Sequence, residues 1–119
     1  MTRRRGLFAV ALLAALLVWA SGASTAHAAT AFSDWAAVVI AGDWHAHDGG
    51  PSEAFDNARR DVSRELVDAG FSASNIRQFS VRPERYPDER LMISDPDLIG
   101  EKLAELAQTQ RGGCLLYFS

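Results

Sequence analysis

The apolar pattern of the chain changes period several times, and each change predicts an element. Residues 36–42, Ala-Ala-Val-Val-Ile-Ala-Gly, are apolar without a break. A strand with one wet face alternates, whereas a strand covered on both faces does not, so this run predicts the central strand of a parallel sheet. A polar, glycine-containing loop follows from Asp43 to Pro51. Phe55, Ala58, Val62, Leu66 and Ala69 then recur at helical spacing. Ser52 is the expected N-cap of that helix, Glu53 suits its positive end, and Gly70 is the expected residue after its last turn. Arg59, Arg60, Arg64, Glu65 and Asp68 lie around the rest of the helix, and most of them are expected to be solvated.

Residues 75–80, Asn-Ile-Arg-Gln-Phe-Ser, read as a second strand, less apolar and therefore nearer a sheet edge. Residues 81–94 hold Pro83 and Pro87 among charged side chains and predict a surface loop with no element of its own. Asp95 and Pro96 then mark a helix start, as N-cap and first helical residue, and Ile99, Leu103 and Leu106 form the helix's apolar stripe. Gly112-Gly113 turns the chain into a last apolar run, Cys114-Leu115-Leu116-Tyr117-Phe118-Ser119, expected to be a buried strand.

Strand, helix, strand, helix, strand predicts an α/β fold: a doubly wound parallel sheet of three strands with two helices. The most apolar strand belongs in the middle, giving the order second–first–third, with the reversal of strand order beside Gly42–Pro51. Ligands in such sheets bind outside the carboxyl ends of the strands. The Asp43–Asp48 loop is therefore expected at the same end of the sheet as Ser119, and the chain reads as the front part of an enzyme domain.

The first residues predict a signal peptide rather than fold. Arg3, Arg4 and Arg5 form a basic start, residues 7–20 are apolar, and Ala26-His27-Ala28 supplies a small-residue cleavage pattern. The apolar run is shorter than the roughly 20 residues of a membrane span, which favours a cleaved signal over an anchor. The general secretory route is preferred to the twin-arginine route. The expected organisation is a signal peptide over 1–28 and an exported segment over 29–119, periplasmic or extracellular, with no stable membrane insertion after cleavage. That segment carries nine basic and 15 acidic side chains, net −6, which argues against nucleic acid as a partner. A single cysteine, Cys114, excludes an internal disulfide. Between Gly113 and an apolar run it is expected to be a small buried hydrophobe rather than a reactive thiol.

The densest chemistry lies in Asp43-Trp44-His45-Ala46-His47-Asp48. Two histidines flanked by aspartates offer metal donors, but no third ligand pattern supports them, so no metal is assigned. Asp43, Trp44, His45, His47 and Asp48 are instead candidates to line a pocket. Trp44 either stacks on a ligand or covers the sheet edge. Gly42 with Gly49-Gly50 matches no nucleotide-binding spacing, and no cofactor is implied. Arg59-Arg60 is expected to be a solvated face rather than an anion site, and nothing near Ser119 in sequence activates it as a nucleophile.

The strand Val38-Val39-Ile40-Ala41-Gly42, the helix segment Phe55-Asp56-Asn57-Ala58 and above all Cys114-Leu115-Leu116-Tyr117-Phe118-Ser119 resemble legumain-type cysteine peptidases, the family of legumain, the GPI-transamidase catalytic subunit and exported bacterial relatives. The resemblance covers about residues 34–119. It implies a caspase-like fold and hydrolysis of peptide bonds by a cysteine thiolate assisted by a histidine. In that family a strand of this kind runs directly into a His-Gly pair carrying the catalytic histidine, and the catalytic cysteine ends the next strand. Both positions lie beyond Ser119, so no catalytic residue is assigned here and the chain alone is expected to be inactive. The expected partner of a completed domain is a peptide or protein substrate; oligomeric state and cleavage specificity are left open. Two other readings stand beside it: a small exported ligand-binding domain using the Asp43–Asp48 loop, and a pseudoenzyme that pairs through its last strand.

Overall fold

The computed structural model describes residues 31–119. The signal-peptide reading and its cleavage site fall outside these residues. Among the described residues no helix is long and apolar enough to cross a membrane.

The fold is α/β, a sheet of four parallel strands with the two long helices on opposite faces. In chain order the elements are β1 (Ala36–Ala41), α1 (Ala54–Asp68), β2 (Ile76–Ser80), β3 (Met92–Ile93), α2 (Pro96–Thr109) and β4 (Cys114–Phe118). The sheet order is β3-β2-β1-β4. Every residue of β1 is buried, as its unbroken apolar run predicts for a strand with protein on both faces. Its side chains alternate between two cores. Ala36, Val38 and Ile40 pack with Phe79 and with Leu98, Ile99, Leu103 and Leu106 of α2. Ala37 and Val39 pack with Leu66 and Val62 of α1, with Phe71, Phe32 and Trp35, and with Leu115 and Tyr117.

The helix signals are mostly local and mostly hold. Asp95 caps α2, its Oδ1 accepting from the Leu98 N–H at 3.0 Å, with Pro96 in the first turn. Leu106 is the buried centre of its stripe. At the end of α1, Gly70 takes φ +109°, its N–H donates to the Val67 carbonyl, and the Phe71 N–H donates to the Leu66 carbonyl. That pair of bonds, with Phe71 and Leu66 in one core, is a Schellman stop.

The structure corrects four expectations. First, the sheet has four strands, not three. The segment expected to be a featureless loop contains two 3-10 turns, Pro83–Arg85 and Pro87–Glu89, and then β3. Two residues are too few to show a period, and β3 is held from outside itself: the Ser94 N–H donates to the Ser80 carbonyl at 2.8 Å and the Ser94 hydroxyl to the Ala41 carbonyl at 2.9 Å. Second, the last strand is not buried. β4 is an edge strand whose Leu115 and Tyr117 face the α1 core, while Leu116 and Phe118 are 48% and 60% exposed. Cys114 is exposed as well, because α2 packs over β1 and β2 and leaves this face of β4 open. Third, the first turn of α1 is shifted. Glu53 occupies the N-cap without a side-chain cap bond, and the Ser52 hydroxyl accepts from the Ala54 N–H at 3.1 Å one residue earlier. Fourth, the buried positions of α1 are Asp56, Arg59, Ser63 and Leu66. Phe55, Ala58 and Val62 flank them half-buried and Ala69 is exposed. Arg59, expected to be solvated, is 0% exposed.

A candidate site at the carboxyl edge of the sheet

Because all four strands run the same way, Gly42, Val81, Ser94 and Ser119 leave the sheet at one end. The chain moves outward from β1 through β2 to β3 and then crosses to β4, so strand order reverses between β1 and β4. Gly42 and Ser119 meet there: the Gly42 N–H donates to the Ser119 carbonyl at 2.7 Å and the Ser119 N–H to the Ile40 carbonyl at 3.0 Å. The Ser119 hydroxyl lies 3.2 Å from the carbonyls of Ile40 and of Phe55. The loop from Asp43 to Asp48 thus stands at the same end as Ser119, as the parallel arrangement requires.

The loop is closed on itself. Asp43 Oδ1 accepts from the N–H of Trp44 at 2.6 Å and of His45 at 3.1 Å, and lies 2.7 Å from His45 Nδ1. The His45 contact, followed by the two backbone bonds, holds the Asp43 carboxyl below its usual range. The Ala46 N–H donates to the Gly50 carbonyl, the Gly49 N–H to the Ala46 carbonyl and the Ser52 N–H to the Trp44 carbonyl. Gly49 has φ +83°, the left-handed conformation that glycine supplies without a steric cost. Asp43, Trp44 and His45 therefore form one hydrogen-bonded and stacked group, with Trp44 and His45 rings 3.9 Å apart. His47 and Asp48 stand apart from it, exposed at the loop tip, against an open cavity of about 470 Å³. Among the described residues no three His, Cys, Asp or Glu side chains converge to hold a metal.

The other wall comes from the segment between β2 and β3, which the sequence left without a role. The Arg82 guanidinium lies 4.9 Å over the Trp44 ring. Its Nη2 donates to the Ser52 carbonyl at 3.0 Å and to Glu53 Oε1 at 3.3 Å. The Tyr86 hydroxyl donates to Glu53 Oε2. Burial, followed by that bond, pushes the Tyr86 hydroxyl up to about 12, while the same bond first, and then Arg85 and Arg82, hold Glu53 low. Trp44, half-buried, thus stands between Arg82 and His45, its ring in contact with both.

Behind this wall lies a buried polar network. Arg59 Nε donates to Asp56 Oδ1 at 3.0 Å, Nη1 to Gln78 Oε1 at 2.5 Å and Nη2 to Glu89 Oε2 at 2.6 Å. The Ser80 hydroxyl donates to Asp56 Oδ2 at 3.0 Å and accepts from the Arg82 N–H at 3.0 Å. Arg60 Nε donates to the second Glu89 oxygen at 2.9 Å. Burial pushes Glu89 up, but the bonds from Arg59 and Arg60 outweigh it and hold the carboxyl low. A buried charge needs such partners. The one sequence signal for this network was Asp56 and Arg59 three residues apart in the middle of an apolar stripe.

No family model, curated protein or solved structure matches this chain.

Proposed function

We propose that residues 29–119 are the amino-terminal part of an exported, legumain-type cysteine peptidase domain of caspase-like fold, whose catalytic histidine and cysteine are supplied by sequence following Ser119. The observation that carries the reading is β4. It occupies the sheet edge next to the reversal of strand order, and its carboxyl end is hydrogen-bonded to Gly42 beside the Trp44 loop. In the family that this strand resembles, the catalytic histidine follows at that point. The same strand leaves Leu116 and Phe118 uncovered and its outer edge without a strand partner among the described residues. A further helix over that face and a further strand along that edge would bury both.

The chemistry of this proposal is peptide hydrolysis by a thiolate, with the histidine moving protons between nucleophile and leaving amine. The described residues would contribute the floor of the cleft: Gly42, the Trp44 loop and the carboxyl end of β4. Cys114 has no nucleophilic role in it, since it lies at the opposite, amino end of β4.

The test is the genomic sequence after the Ser119 codon, read in every frame. A His-Gly pair at once, and a cysteine after one more strand pattern, supports the reading. Joined to residues 29–119, that sequence is expected to give peptide cleavage blocked by thiol alkylation, while the 119-residue chain shows none. Unrelated sequence in all frames, or a joined protein that folds without thiol-dependent hydrolysis, overturns it and favours a binding domain. Mass spectrometry of the exported protein should find Ala29 at its start; retention of Met1 in a membrane fraction would overturn export by a cleaved signal.

A further inference from the structure

On the side of the sheet away from β4, β2 is only partly covered. It pairs with β3 at Phe79 and Ser80 alone, whereas Ile76, Arg77 and Gln78 have β1 on one side and no strand on the other among the described residues. Backbone direction alternates along a strand. The Ser80 carbonyl points outward to the Ser94 N–H, so the Gln78 N–H and the Ile76 carbonyl point outward too. The Ile76 N–H is taken by the Ala73 carbonyl, but the Gln78 N–H and Ile76 carbonyl have no partner among the described residues. A groove of about 370 Å³ runs along this open stretch, lined by Ile76, Arg77, Gln78, Glu89, Arg90 and Met92, with residues 73–74 at its end.

The charge in this groove is unusual for the molecule. Six of the nine described basic side chains sit in ion pairs: Arg59, Arg60, Arg64, Arg82, Arg85 and Lys102. Of the three that do not, Arg77 and Arg90 both line the groove. Arg77 Nη1 donates to the Ser74 carbonyl, and Arg90 is exposed. The carboxylates nearby are committed elsewhere: Glu89 is held by Arg59 and Arg60, and Glu105, which feels Arg77, is held by Lys102. In a segment of net charge −6, two unpaired arginines flank unpaired strand-edge groups.

We propose that this groove binds a short, extended, acidic peptide segment of another protein. The segment would add beside Ile76–Gln78, exchanging backbone hydrogen bonds with the open edge and placing carboxylates against Arg77 and Arg90. The proposal does not depend on the peptidase reading and applies to the chain as it stands. Charged side chains on an edge strand also serve to repel other strands, so the experiment has to separate an edge guard from a binding edge.

The probe is a fluorescein-labelled, end-capped pentapeptide alternating glutamate and valine, followed by anisotropy. Saturable binding with a dissociation constant below about 1 mM is expected, and at least about tenfold weaker binding for the lysine–valine counterpart and for the same glutamate peptide with N-methylated backbone. Arg77→Ala and Arg90→Ala are each expected to weaken binding several-fold, with Arg111→Ala, the third unpaired arginine, leaving it unchanged. Circular dichroism checks folding; exposed Arg90 keeps the test decisive should Arg77→Ala not fold. Absence of saturation overturns the proposal and leaves the arginines as an edge guard. So does binding insensitive to Arg90→Ala. Equal binding of the N-methylated peptide also overturns it, because the groove is then an ion site without strand addition.

Discussion

The two ends of the sheet are held by different physics. At the amino end, Phe32, Trp35 and Phe71 form an aromatic clamp: Phe32 stacks on Phe71 at 5.2 Å and meets Trp35 edge-on at 5.4 Å. Gly112 and Gly113 pass so close beneath that a Cβ on either would stand 2.7 Å or less from the Trp35 side chain. Asn75 ties this end together, its Nδ2 donating to the Ser33 carbonyl and to Gln110 Oε1. Toward the carboxyl end the space between α1 and the sheet holds Asp56, Arg59, Gln78 and Ser80 instead of apolar side chains. Aromatic packing stabilises through buried area and tolerates small shifts in angle. A buried ion pair is a weak source of net stability, but each of its bonds has a direction. The amino end closes the fold, while the network fixes where Tyr86, Arg82 and hence Trp44 stand beside the proposed cleft.

Arg59→Ala is the substitution that breaks this comparison most severely. It leaves Asp56, which is 1% exposed, as an uncompensated buried carboxylate and leaves Glu89 with Arg60 alone. A loss of about 3–5 kcal/mol is expected in denaturant unfolding. The paired variant Asp56→Leu with Arg59→Met, which removes both charges, should recover part of that loss. A single-variant loss below about 1 kcal/mol would mean that the network is solvated in solution.

Gly113→Ala tests the other end. The added methyl must displace the Trp35 ring, and overpacking of this kind costs about 1–3 kcal/mol. The loss should be the same from pH 4 to 8, since nothing in the clamp titrates there. A neutral substitution would show that Trp35 does not rest on the glycine turn.

Local features and long-range contacts differ in how far the sequence announced them. Capping at Asp95-Pro96, the stop at Gly70 and the unbroken run of β1 depend on neighbours within a few residues, and the structure keeps them. Parallel strands followed from the alternation of strands and helices, and with them the meeting of Gly42 and Ser119. Arg59 was misread because its partners Gln78, Ser80 (through Asp56) and Glu89 come from 19 to 30 residues later, beyond any helical period. The exposure of Leu116 and Phe118 was equally invisible, since it depends on where α2 lies rather than on β4 itself. Within the candidate loop, the contact of Trp44 with Arg82 was invisible for the same reason, since Arg82 comes from another loop 38 residues later.

Glu89 makes the difference between the ends measurable by pH. Its folded pKa is lowered from the ordinary 4.5. A lowered carboxyl stabilises the fold above its unfolded pKa and loses that contribution as pH falls through the folded value. At pH 7, Glu89→Gln is expected to cost about 1 kcal/mol, the scale of a partly exposed charged hydrogen bond. As pH falls below 4.5 and through the folded value, the wild-type and variant curves should converge. Parallel curves across this range would remove Glu89 from the pH dependence.

The smallest expected effect concerns the contact between the two walls of the candidate site. Arg82→Lys keeps the charge near Glu53 but replaces a planar guanidinium over the indole with a compact ammonium. Arg82 is buried but the Trp44 ring is only half-buried, and a cation–π contact to such a ring is worth about 0.5–1 kcal/mol, so the midpoint of unfolding should hardly move. The readout is Trp44 itself. Within residues 29–119 the only other tryptophan is Trp35, and placing the substitution in that segment with Trp35→Phe leaves Trp44 as the sole emitter. Release of Arg82 should shift Trp44 emission to the red and raise its quenching by iodide. Glu53→Gln, which loosens Arg82 and Tyr86 without touching the indole, should move the same signal in the same direction. Unchanged emission in both variants would detach Trp44 from the β2–β3 segment, and the buried network would then fix that segment without placing the loop.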